Sequence, residues 1–71
     1  MEKFISSYGE CEIEVKGERI SVKFENESVG NTEAEIAMQE FCDQNPQGGK
    51  FGNNEVQKSE EFDGEFVSEI F

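Results

Sequence analysis

The sequence contains no histidine, one proline, two cysteines and only six basic residues in 71. The missing histidine removes the commonest general base, metal ligand and triad member together. Two cysteines fall short of a four-ligand zinc site and cannot build a disulfide framework. A Cys11–Cys42 bridge is the single pairing open to them, and a reducing compartment keeps both as small buried hydrophobes. No phosphate-binding glycine loop runs into Lys and Ser or Thr, Gly48-Gly49-Lys50 being only a fragment of one, and there is no GxSxG elbow or dinucleotide fingerprint. Acid pairs such as Glu12 and Glu14 suit glycosidase chemistry only in a deep cleft, which a chain of this length does not readily build. The expectation is a non-enzymatic protein without a cofactor. No apolar run approaches the length of about eighteen residues that a membrane helix needs. The opening MEKFISSYGE lacks the basic flank and apolar stretch of a signal peptide, so a cytoplasmic location away from the membrane is expected. Asn26-Glu27-Ser28 matches a glycosylation acceptor, which counts only in a secreted chain.

What is present in excess is acid. Seventeen Asp and Glu give a formal charge of −11. Self-repulsion of that size opposes the compact state, and the field repels nucleic acid and anionic lipid while attracting basic proteins and cations. The apolar fraction is 34%, but seven Phe supply large side chains for burial. A single domain of this size buries roughly 60% of its unfolded surface, so the core is small and the stability margin thin.

Residues 10–25 carry the clearest pattern. Cys11, Ile13 and Val15 alternate with Glu10, Glu12 and Glu14, and Ile20, Val22 and Phe24 alternate with Ser21, Lys23 and Glu25. In Lys16-Gly17-Glu18-Arg19, Gly17 can take the positive φ of a type II′ turn, so a two-residue loop joins two half-buried strands. That loop fixes the register: Val15 faces Ile20, Ile13 faces Val22 and Cys11 faces Phe24 on one side, while Glu14 meets Ser21, Glu12 meets Lys23 and Glu10 meets Glu25 on the other.

After polar residues 26–31, Thr32 and Glu35 have the spacing of a capping box, which predicts a helix from Thr32. Ala34, Ala37, Met38 and Phe41 form its apolar stripe, with Glu33, Glu40 and Asp43 on the other side, and Asn45-Pro46 ends it. Ile36 lies off the stripe and either contacts another element or stays exposed. Residues 47–54, rich in Gly and Asn, read as a loop. Residues 55–58 suit a short strand. Phe62, Phe66 and Ile70 fit a helix face or a strand, and Gly64 with β-branched Val67 favours a strand near 64–70. The expected fold is α+β: one ββαβ domain over residues 1–71, an antiparallel sheet with a helix packed on one face.

One metal pattern is partial. Asp43, Asn45, Gln47 and Gly48 match positions 1, 3, 5 and 6 of a calcium loop, but Asn54 stands where the bidentate Glu belongs and Pro46 is a further departure. The expected reading is a helix end followed by a polar loop. The acids themselves are the stronger feature. On a strand, Glu10, Glu12 and Glu14 stand at intervals of about 6.5 to 7 Å, similar to phosphates along a nucleic-acid strand. A protein that holds nucleic acid through Lys and Arg meets charges there at familiar distances. Glu25 extends this group. Glu33, Glu40 and Asp43 on the helix, and Glu60, Glu61, Asp63 and Glu65 near the C-terminus, are two further patches. The expected partner is a basic surface of a nucleic-acid-binding protein, not nucleic acid itself. A second route, through Ile36, Phe51, Phe62, Phe66 and Phe71, is apolar assembly, with a homodimer as its simplest form.

The hairpin YGECEIEVKGERISVKFE followed by NTEAEIAMQEFC, with the length and charge, resembles the small acidic proteins of phages and mobile elements that block host nucleic-acid machinery. Anti-CRISPR proteins and inhibitors of host polymerase are among them. The resemblance implies that a basic surface on an immune effector or nucleic-acid enzyme is covered, and it assigns no role to an individual residue.

Overall fold

The computed structural model describes residues 2–25, 29–52, 55–59 and 64–70. The hairpin is as its sequence dictates. Strand β2 (Gly9–Lys16) pairs antiparallel with β3 (Arg19–Phe24), and Cys11 faces Phe24, Glu12 faces Lys23, Ile13 faces Val22, Glu14 faces Ser21 and Val15 faces Ile20. Gly17 has φ 61° and, among the described residues, only glycines take a positive φ, so Glu18 does not. One positive φ at the first central position is what a type II′ turn requires.

The helix α1 (Asn31–Gln44) buries Ala34, Ala37, Met38 and Phe41, the expected stripe, and adds Cys42. Its start differs from expectation. Gly30 is the N-cap, and the Glu33 carboxylate, not that of Glu35, reaches back to accept the Gly30 N–H at 3.0 Å. Gly30-x-x-Glu33 has the same spacing as Thr32-x-x-Glu35, and without a side chain on residue 30 only the Glu half of the reciprocal pair forms. The C-terminus is where Asn45-Pro46 placed it. The Asn45 backbone N–H and its Nδ2 both donate to the Phe41 carbonyl, at 2.9 and 3.0 Å, and Pro46–Gly48 turns away as one 3₁₀ turn.

Strand β5 (Glu65–Glu69) lies against β3 and pairs Phe66 with Val22 and Ser68 with Ile20; the two-residue strand β4 (Gln57–Lys58) completes that side. The segment near 64–70 is therefore a strand, as Gly64 and Val67 favoured. One element goes beyond the expected ββαβ order. Strand β1 (Glu2–Ser6) pairs antiparallel with β2, Phe4 opposite Cys11, so the sheet runs β1-β2-β3-β5-β4 with β3 at its centre. The architecture is α+β, one antiparallel sheet with one helix across it.

The core lies between the sheet and α1. Cys11 and Ile13, Ile20, Val22 and Phe24, and Phe66 supply the sheet side, the helical stripe covers them, and Phe51, Val56 and Ile70 close the rim. Phe4 packs on this core from β1, its ring edge-on to that of Phe41 at 5.5 Å and 88°. Phe51 and Phe66 are thus core side chains, which removes them from the apolar assembly surface; Ile36 is half-buried, and Phe62 and Phe71 lie outside the described residues. Among the described residues the exposed large hydrophobics are instead Ile5 and Tyr8, on β1 and the turn after it. Among the described residues no helix is long and apolar enough to cross a membrane.

Candidate functional site

Side chains alternate across each strand, so the register that buries Cys11, Ile13, Val22 and Phe66 turns Glu10, Glu12 and Glu14 to the face away from α1. They form the expected row on β2, but the row has company. Lys3, Glu12, Lys23 and Glu65 stand side by side across β1, β2, β3 and β5, alternating in sign. Lys3 Nζ is 3.5 Å from Glu10 Oε1, and Lys16 Nζ is 3.0 Å from Glu14 Oε1. Arg19 faces both Lys16 and Glu69. Four of the chain's six basic residues, Lys3, Lys16, Arg19 and Lys23, thus share this face with the acids. Such solvent-exposed pairs add little stability. Their effect is on the field: opposite charges a few ångströms apart largely cancel beyond the Debye length of about 8 Å at physiological salt. At one end of the face, Glu10, Glu12 and Glu25 meet Lys3 and Lys23 around a small cavity of about 200 Å³. The structure brings these three acids together and sets bases among them.

The helix is different. Between Lys23 and Lys50 the sequence holds six acids and no base, so α1 carries Glu33, Glu35, Glu40 and Asp43 with no cation of its own. These four do different jobs. Glu33 is half-buried and holds the N-cap amide. Glu40 accepts from the Ser7 backbone N–H at 3.2 Å and from the Ser7 hydroxyl at 3.0 Å, tying the middle of α1 to the β1–β2 turn. Asp43 accepts from Gln39 Nε2 at 2.9 Å on the outer surface, and Glu35 is exposed. Among the described residues, α1 therefore presents acids without interleaved bases, which the open sheet face does not. Glu35 belongs to that surface and was missed by sequence reasoning, which had assigned it to the cap; the signal that finds it is the absence of any base from residue 24 to residue 49. Glu65 is half-buried on β5 beside Lys23, and Glu60, Glu61, Asp63 and the Asn26 acceptor site lie outside the described residues.

The partial calcium pattern is taken up by the helix end. Asn45 caps Phe41, Asp43 pairs with Gln39, and Gln47 sits in the 3₁₀ turn. Among the described residues no three Cys, Asp or Glu side chains converge as metal ligands would. Both cysteines are buried free thiols. Burial lifts the Cys11 thiol to about 11, against the lowering by a hydrogen bond with Ser6 and with further raising by Glu40 and Glu10. Burial and then Asp43 raise Cys42, while a backbone hydrogen bond from Phe51 lowers it. A thiol held protonated in this way is not poised as a nucleophile.

No protein family, curated protein or solved structure matches the chain.

Proposed function

We propose that this chain is a non-enzymatic acidic binding protein whose helix side covers a basic, nucleic-acid-binding surface of another protein, in the manner of the inhibitors it resembles. The observation that carries this reading is the division of charge: bases interleave with acids on the open sheet face, whereas α1 holds four acids and no base. A field of one sign steers association with a surface of the opposite sign, and it competes with phosphates for the same Lys and Arg side chains. Of the helical acids, Glu35 and Asp43 face solvent and serve contact, whereas Glu33 and Glu40 also hold the fold. Glu10, Glu12, Glu14 and Glu25 then contribute at the periphery, each within reach of a base.

The test is capture of the partner from native host extract on immobilised protein. Excess double-stranded nucleic acid should release the captured protein, raised salt should weaken capture, and the E35K/D43K variant should capture none. Capture that survives both competitor nucleic acid and salt overturns the reading. A second reading, assembly through apolar contacts, draws on one observation: Ile5 is 79% exposed on the outermost strand of the sheet. A homodimer through β1 is its simplest form. Sedimentation that shows a monomer at high concentration and high salt rules it out.

A further inference from the structure

Ser7 is tied to Glu40 through two donors of its own. The hydroxyl donates to Glu40 Oε2 at 3.0 Å and the backbone N–H to Oε1 at 3.2 Å, and a carboxylate has only acceptors to offer. Both bonds lie at the surface, and Ser7 and Tyr8 form the exposed apex of the β1–β2 turn. The second tie from β1 to α1 is the edge-on contact of Phe4 with Phe41, and Phe4 is only half-buried. The position of this outer strand against the helix therefore depends on one hydroxyl proton that solvent can reach. Charge marks the same hydroxyl. Of the six serines only Ser7 is followed three residues on by an acid, Glu10, and Glu12 and Glu14 continue the run, with no base between Lys3 and Lys16. A kinase whose substrate groove is lined by Lys and Arg selects an acceptor hydroxyl followed by acids in this way.

We propose that Ser7 is a phosphorylation site and that its phosphate opens the tie between β1 and α1. In the transfer, Ser7 Oγ attacks the γ-phosphorus of a nucleoside triphosphate held by the kinase. The Oγ–P bond forms, the bond from that phosphorus to the bridging oxygen breaks, the diphosphate leaves with the electron pair, and the hydroxyl proton passes to the base of the kinase. The product has lost its donor and sets a charge of about −1.5 to −2 beside Glu40. Helix α1 has no base to receive it, so like charges face each other where a hydrogen bond stood. Strand β1 then comes away from α1 and takes Lys3 from Glu10, whose Oε1 its Nζ meets at 3.5 Å. Release thus makes the Glu10 end of the open sheet face more negative. This goes beyond the proposed function and stands whether or not the helix side contacts a partner.

The full chain with phosphoserine at residue 7 is made by ligating a synthetic thioester of residues 1–10 to residues 11–71, whose first residue, Cys11, supplies the thiol. Hydrogen exchange, followed by NMR, compares it with the unmodified chain made by the same route. Amides of residues 3–6 should exchange about tenfold faster in the phosphorylated chain, a change of about 1.4 kcal/mol, while β3 and α1 keep their protection. Ser7→Ala removes the donor without adding charge and should accelerate them less, about threefold. In Glu40→Gln the carboxamide donates to the phosphate, so phosphorylation should change exchange at residues 3–6 by less than about twofold. The acid-directed casein kinase, with magnesium and ATP, should place one phosphate on the native chain, at Ser7, and act about tenfold more slowly on E10Q/E12Q. Unchanged exchange at residues 3–6 on phosphorylation, or equal acceleration in Glu40→Gln, overturns the switch. Loss of protection throughout β3 does so too, because the chain has then unfolded as a whole. No phosphate at Ser7, or phosphate on another residue instead, overturns the site.

Discussion

The Glu40 carboxylate holds Ser7 with both oxygens, one on the backbone N–H and one on the hydroxyl, across 33 positions of sequence. It is a long-range clasp between the helix and the turn that joins the outermost strand to the hairpin. Ser6 supports the same turn from within, its Oγ donating to the Gly9 carbonyl at 2.8 Å and accepting the Tyr8 N–H at 3.1 Å. Hydrogen bonds to a charged acceptor are the stronger kind, but these are solvent-exposed. Glu40→Ala should therefore cost about 1 kcal/mol in denaturant unfolding and speed hydrogen exchange at Ser7 and Tyr8. Glu35→Ala, with no such partner, should stay within about 0.5 kcal/mol. Equal losses for the two variants would mean that the clasp does not hold the turn.

That clasp also explains why β1 was not legible in the sequence. In Glu2-Lys3-Phe4-Ile5-Ser6 a single large side chain, Phe4, turns to the core, and Ile5, which breaks the alternation, faces solvent. An edge strand needs only one apolar side chain toward the core, and what holds this one comes from Phe41 and Glu40, residues far along the chain. The hairpin was legible because both of its strands alternate fully and the turn glycine agrees with the pattern. Helix α1 was legible in its stripe and in its end, but its start depended on which of two equally spaced pairs would cap it. As for the candidate site, the row Glu10, Glu12, Glu14 follows from period alone. Its neutralisation by Lys3 required the strand that the sequence concealed.

Two glycines with positive φ make a graded test of the turns. At Gly17, φ is 61° and an added Cβ meets nothing within 4 Å, so Gly17→Ala carries only the left-handed penalty, about 1 kcal/mol. At Gly64, φ is 79° and the Cβ would lie 3.0 Å from the Phe24 carbonyl oxygen, beside the hydrogen bond from the Phe24 N–H to Gly64 O. Backbone on both sides of that contact leaves little room to give. Gly64→Ala should cost more than Gly17→Ala, about 2 kcal/mol or above, and should loosen the β3–β5 pairing in hydrogen exchange.

The core should tolerate little. Ile20 is fully buried on the central strand, between Val15 of β2 and Ser68 of β5 and within the core that the helix covers. Ile20→Ala should destabilise by about 2 to 5 kcal/mol, which in a domain of this size leaves a large unfolded fraction at 37 °C. Ile20→Val should cost about 0.5 to 1.5 kcal/mol and keep the fold. Circular dichroism melts of the three proteins order them directly.

The buried thiol at Cys11 gives stability a dependence on alkaline pH. Its value rises from 9.0 to about 11, chiefly through burial, so folding favours the protonated form. The unfolded chain loses that proton first, near pH 9. The contribution is therefore complete below about pH 9 and declines as pH rises toward 11. Cys42 shifts in the same direction. The denaturation midpoint of the native protein should fall across that window more steeply than that of Cys11→Ala, and a thiol reagent at pH 8 should label the folded chain far more slowly than the urea-unfolded one. Parallel pH profiles for the two proteins would sink the assignment.

The last prediction separates the two acidic surfaces. Reversing Glu35 and Asp43 to Lys cuts the negative charge of the molecule by four, and Lys at residue 43 sits in the last turn of α1, where the helix dipole favours a cation. The variant should be at least as stable as the parent in low salt, because self-repulsion falls, and the gap should close as salt is raised. Loss of partner capture by E35K/D43K then reflects the surface and not the fold. E10K/E12K/E14K makes a larger change in charge, but it places three cations among Lys3, Lys16 and Lys23 and replaces alternating pairs with like charges directly opposite. Like charges across strands are destabilising, so this variant should lose stability most in low salt. Where it remains folded, at raised salt, it should keep more of its partner binding than E35K/D43K retains under the same conditions. The reverse order of binding would return the contact surface to the sheet.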